Sequence, residues 1–259
     1  MFRVLPPFGA DQRGVAEVVN GIMNGKTNNI GTVTLATGNA STTTITDARI
    51  GIDSVILLVP SSAASFASTM PYGAFQSVVD QTIASTTTAY AMTLDTTDYS
   101  DGIYLSNSSR INVRNAGIYN LQWSGQFQNT DTQLHDVSVW LRKNGSDVVG
   151  STGFISIPNS HGGVEGHIIA GWNYFIELAA NDHIELYWSA TNTAVSLQFY
   201  SAGTSPTRPT TASVIATMQY VNPNAASNIY VSSQINGSAT LTHFSNNTAN
   251  KTYKYIIVG

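Results

Sequence analysis

The sequence predicts an all-β fold with one helix near its start, and three observations carry that expectation. Charged residues make up only 10% of the 259 residues and apolar residues 42%, whereas an ordinary soluble domain carries about 25% charge. Ser, Thr, Asn and Gly take up the difference, and they suit strands and turns better than exposed helices. Short apolar–polar alternations bounded by turn residues fill most of the chain. Their texture changes around 61–73 and reverts from Asn222 onward, which separates an outer segment (1–73 with 222–259) from an inner one (74–221).

The elements follow in order. "LPPFG" is extended, because two prolines forbid a helix there, and this arm offers Phe2, Leu5 and Phe8. The next residues, 11–24, predict a helix: Val15, Val18, Val19, Ile22 and Met23 fall at helical spacing. Asp11 suits the N-cap and Gly25 the C-terminal stop. The stripe through Val15, Val19 and Ile22 either packs on the segment's own sheet or docks, with the arm, on another protein. In "TVTLATGNASTTTITDARIGIDSVILLVP", Val33 and Leu35 alternate with Thr. The unbroken run Ser54–Val59 predicts a central strand buried on both faces. "TYKYIIVG" at 252–259 predicts a further buried strand.

The inner segment alternates cleanly. Tyr119, Leu121, Trp123 and Phe127 share one face, as do Val137, Val139 and Leu141 before an Asn144-Gly145 hairpin turn. Val164, Ile168, Trp172, Tyr174, Ile176 and Leu178 form another inward face. Asn181-Asp182 turns the chain into Ile184, Leu186 and Trp188, and Val214, Ala216, Met218 and Tyr220 close the set. Many short strands with no helical pattern between them indicate a β-sandwich.

Two resemblances refine this picture. "RINVRNAGIYNLQWSGQF", "VWLRKNGSDV" and "LAANDHIELYW" resemble the jelly roll of complement globular heads and tumour necrosis factors. The matching residues are turn and core positions, and the resemblance implies a compact homotrimer. Trp140, Ile169 and Phe175, apolar on otherwise polar strand faces, are the candidate trimer-interface residues. With 74–221 set aside, the outer pieces "GTVTL", "TTTITDARI", "SVILLVP" and "SATLTH…TYKYIIVG" resemble a small structural module of tailed-phage virions. That resemblance implies a β-module split by an inserted jelly roll. It also implies that the last strand pairs in one sheet with Ser54–Val59 and Thr32–Leu35.

The chemistry-bearing residues are sparse. No cysteine is present, so there is no disulfide or thiolate site. His161, Glu165 and His167 in "HGGVEGHI" could approach a common ion, and Asp182, His183 and Glu185 form a second acidic-plus-His patch; a polar strand edge or turn explains each more simply. No hydrolase elbow, phosphate loop or zinc-helix motif occurs. The expectation is therefore no catalytic residue, no metal and no cofactor. The net charge of −4 and the scatter of the 11 basic residues argue against nucleic acid. No signal peptide is expected, and "SVILLVP" is too short to cross a bilayer.

The expected function is non-enzymatic: a trimeric capsid decoration or cement protein, or a short head fibre, on the virion surface. Its docking residues would be Phe2, Leu5, Phe8, Val15, Val19 and Ile22, set against a major capsid protein or another virion protein. The alternative is a tail-fibre adhesin whose jelly roll binds a host-surface glycan or protein.

Overall fold

A computed structural model describes residues 11–25, 27–66, 70–221 and 229–259; Phe2, Leu5 and Phe8 lie outside them. The chain forms two compact units, Met1–Ser68 with Ser227–Gly259 and Thr69–Ala226. Apart from one helix, α1 (Gln12–Met23), and a single turn at Ala63–Phe66, the described elements are strands. Those of five residues or more are β1 (Ile30–Thr34), β2 (Ala40–Thr46), β3 (Val55–Pro60), β4 (Tyr72–Ser77), β5 (Thr96–Asp101), β6 (Gly117–Asn129) and β7 (His135–Lys143), followed by β8 (Gly153–Ile157), β9 (Gly166–Leu178), β10 (His183–Ala190), β11 (Val214–Val221), β12 (Ile229–Ile235), β13 (Ser238–Asn246) and β14 (Thr252–Val258). The fold class is all-β.

In the smaller unit, β14 runs down the middle of a three-stranded antiparallel sheet between β1 and β3. These are the two partners expected for it. A second sheet, ordered β2–β13–β12, supplies the other layer. Leu35, Ile45, Ile50, Leu241, Tyr255 and Ile257 are buried in the core between them. Gly31 stands opposite Tyr255 in the register, and a side chain there would collide with the Tyr255 ring. The absent side chain makes room for the ring, whose hydroxyl donates to Asp47 at 2.8 Å. Arg49 also donates to Asp47. That bond, the Tyr255 hydroxyl and the guanidinium charge hold the Asp47 carboxyl far below the usual carboxylate range, against the opposing effect of burial.

In this unit one open alternative narrows and one expectation fails. The helix forms with its expected ends: the Asp11 carboxylate accepts from the Gly14 N–H, and Gly25 adopts the left-handed backbone past the last turn. Its stripe, however, does not pack on its own sheet, since Val15, Val19, Ile22 and Met23 are 40–80% exposed. Nor is β3 a central strand buried on both faces. It is an edge strand, and Val55, Leu57 and Val59 on its outer face are 49–55% exposed.

In the larger unit, two sheets enclose one core. The first runs β5–β4–β11–β6 with β9 on the far side of β6; the second is built around β7 and β10. Phe75, Tyr119, Leu121, Phe127, Leu141 and Trp188 are among its fully buried side chains. The expected inward residues of β6, β7, β10 and β11 face this core, with Tyr220 partly buried. Ile168, Trp172, Tyr174 and Ile176 of β9 are partly buried against it; Val164 lies outside the strand and is exposed. Asn144 and Gly145 both adopt positive φ (50° and 85°) in the two-residue hairpin after β7, as such a turn requires. β4 belongs wholly to this unit, so the boundary precedes Tyr72 and does not fall at residue 73. Its first residue pairs with Gln219, and the Tyr220 N–H donates to the Pro71 carbonyl at 2.8 Å. The chain therefore enters and leaves this unit along two neighbouring strands.

Candidate functional site: an uncharged sheet face

Strand alternation puts every second residue of β4, β11, β6 and β9 on the face away from the core. The register lays these residues in rows. One row runs Tyr72, Gln219, Asn120, Phe175; the next runs Ala74, Thr217, Gln122, Asn173, with Tyr99 of β5 beside Ala74. Ile215 and Ser124 follow, then Gln126 opposite Ile169. Six large apolar or aromatic side chains on this face, Tyr72, Tyr99, Ile118, Ile169, Phe175 and Ile215, are 41–70% exposed. Amides and hydroxyls fill the space between them. Charge enters at the margins: Glu177 lies beside Ile118 and Asp101 beside Tyr72, Asp98 accepts from the Gln76 side chain at 2.7 Å, and Arg208 lines a cleft with Gln126 and His167.

This composition is similar to that of association surfaces. Such surfaces are depleted of charge at their centre, enriched in aromatic residues and more polar around the rim. A shallow cleft of about 300 Å³ between Tyr72, Tyr99, Asn120, Gln122 and Gln219 gives the face relief. The Asn and Gln side chains satisfy hydrogen bonds without the desolvation cost of buried ions.

Of the three residues expected at a trimer interface, Ile169 and Phe175 lie on this face, six positions apart along β9. Trp140 stands on the opposite side of the sandwich, on β7. Its indole N–H donates to Asp147 at 2.8 Å and its ring lies 6.2 Å from that of Tyr187. The Arg142 guanidinium sits 3.9 Å from the Tyr187 ring centre and also donates to Asp147. This bond holds the Asp147 carboxyl below the usual carboxylate range, with the Trp140 indole adding to it. Trp140 is thus engaged within its own chain. Tyr72, Tyr99, Ile118 and Ile215 were not singled out from the sequence. Their signal was present: each is a large apolar residue on the polar side of an alternating strand.

The polar clusters resolve differently. His161 and Val164 pair across the Gly162-Gly163 turn, whereas His167 lies on β9 with its Nδ1 3.1 Å from the Tyr200 hydroxyl. Among the described residues, no three His, Asp or Glu side chains gather to hold a metal ion. His167, Tyr200, Gln126, Arg208 and Thr211 instead line an open cleft of about 330 Å³. Asp182 is a turn residue: it accepts from Asn144 (2.7 Å), Lys143 (3.0 Å) and the Ala179 N–H (2.8 Å). The bonds from Asn144 and Lys143 lower its pKa, in that order, against the effect of burial. Glu185 points outward from β10 as expected, yet it is buried under Ser109, whose hydroxyl donates to it at 2.6 Å, and Arg110. No described helix is long and apolar enough to cross a membrane. No protein-family model matches the chain, and a search of curated proteins finds no match.

Proposed function

We propose that this chain is a non-enzymatic virion structural protein: a homotrimeric capsid decoration or cement protein, or short head fibre. In this reading it docks on a major capsid protein or another virion protein through its smaller unit and projects the larger one. The observation that carries self-association is the uncharged outer face of the β4–β11–β6–β9 sheet. Exposed Ile169, Phe175, Ile118 and Ile215 gain stability once covered, at about 1.5–3 kcal/mol for each side chain fully buried. Little net charge opposes close approach of copies. The virion role is supported by the resemblance of the outer segment to tailed-phage modules, and the arm Phe2, Leu5 and Phe8 is its proposed anchor.

Light scattering at micromolar concentration is expected to give three times the chain mass, and a stable monomer would overturn the trimer. Removing residues 1–10 is expected to leave a folded trimer that no longer sediments with particles. Full occupancy by the truncated protein would move attachment elsewhere on the smaller unit. The second reading, an adhesin, is favoured by the cleft lined by Arg208, His167, Tyr200, Gln126 and Thr211, whose mixed donors and acceptors suit a glycan. Binding of the full protein to host cells that is lost on Arg208→Ala would favour it.

A further inference from the structure

The smaller unit leaves two apolar faces uncovered. One is the α1 stripe of Val15, Val19, Ile22 and Met23. The other is the outer face of the β1–β14–β3 sheet, where Ile30, Ile256 and Leu57 align across the three strands and Val258 pairs with Val55. The exposed apolar members of this sheet face, Ile30, Leu57, Val55, Val59 and Val258, are each about half accessible, at 49–55%. We propose that the two faces cover one another between copies: α1 of one chain lies on the β1–β14–β3 sheet of a second copy. This rests on the self-association proposed above and names a second place where the copies meet.

Two observations favour this occupant, and a third sets the conditions of the contact. The dimensions match: the stripe from Val15 to Met23 extends about 12 Å at 1.5 Å per residue, and Val55 to Val59 extends about 13 Å at 3.3 Å per residue. The charges match: exposed Lys254 stands beside the patch, opposite Val59, and α1 has no basic residue in its last turn. The helix C-terminus carries roughly half a negative charge, so Lys254 supplies what α1 lacks. Area decides the setting. Nine side chains, mostly half-exposed, at roughly 60–120 Å² for full burial of each, bury on the order of 270–540 Å² of apolar surface. Even with a polar rim this falls short of the ~1,200 Å² of a stable independent interface. The contact therefore forms within copies already held by the larger unit. Within one chain the two faces are joined by residues 24–29, and there each remains bare.

The chain has no cysteine, which makes the test clean. Chains carrying Val19→Cys and chains carrying Leu57→Cys, both at exposed positions, are co-expressed, purified as assembled protein and mildly oxidised. A disulfide between the two kinds of chain is expected to exceed either like-with-like disulfide at least tenfold. Lys254→Glu in both chains is expected to lower its yield several-fold. Links only between Val19→Cys chains would mean a helix bundle, and links only between Leu57→Cys chains a sheet-on-sheet contact; either overturns the proposal. A single chain carrying both substitutions that closes on itself, with no link between copies, overturns it in favour of the chain's own helix. Assembled protein without any link overturns this inference alone, whereas a monomer without any link overturns self-association as well.

Discussion

The two units both carry an exposed sheet face, and the faces differ in how they are made. On the larger unit, large apolar residues are spaced among Asn120, Gln122, Asn173, Thr217 and Gln219, so polar side chains interrupt the apolar surface. On the smaller unit, the patch of Ile30, Leu57, Val55 and Val258 has few polar residues within it. The cores differ in the same sense. The larger unit buries Trp188, Tyr119, Phe75 and Phe127 completely, while the smaller holds one compact cluster around Leu241 and Tyr255. A unit with a deep core can leave an amide-rich face to a partner at little cost. A unit with a small core and a bare aliphatic face depends more on being covered.

The largest effect is expected from damage to one core, which should leave the other intact. Trp188→Ala empties the site where its ring meets Phe127 at 5.7 Å and is expected to cost about 3–5 kcal/mol. In calorimetry, only the transition of the larger unit should fall. If both transitions move together, the units share one cooperative core. The next effect concerns the amide-rich face. Ile169→Asp and Phe175→Asp are each expected to weaken self-association by about thirtyfold or more, the ~2 kcal/mol of a hot-spot residue. Trp140→Ala, on the opposite side of the sandwich, should leave it nearly unchanged. Equal effects from all three, measured by sedimentation, would remove the face from its assigned role.

Smaller effects are expected in the smaller unit. Gly31→Ala drives a methyl group into the Tyr255 ring and is expected to cost about 1–3 kcal/mol, the usual range for overpacking. It should lower that unit's melting point and leave the other's in place. Acid should act in the same place. The folded-state pKa of Asp47 is depressed, so its stabilisation is complete above the ordinary carboxylate range and is lost as pH falls below about 4. The smaller unit's transition should therefore drop on acidification. Asp47→Asn should flatten that part of the pH dependence, as followed by circular dichroism.

Sequence pattern carried the class of fold, the caps of α1, the Asn144-Gly145 hairpin and the partners of β14, because each is written in local spacing or in the order of matching segments. The bare face of β3 was not legible. A run such as Val55–Val59 looks the same whether its own chain or another molecule covers it. Trp140 was grouped with Ile169 and Phe175 because all three are apolar on polar strand faces; only the pairing of strands decides which sheet each strand joins. Glu185 was expected outside and is buried, since the residues that cover it, Ser109 and Arg110, come from about 75 positions earlier in the chain.

The neighbouring entry and exit strands of the larger unit have a mechanical consequence. Tension pulling along β4 and β11 is divided between two tethers that leave from the same end. Such a load acts parallel to the strands. It must slide β11 past β6, where Ile118–Gly125 is paired residue by residue with Val214–Val221, and the hydrogen bonds resist together. They are not peeled apart one at a time. A load on these two strands is resisted most strongly along the direction in which they run.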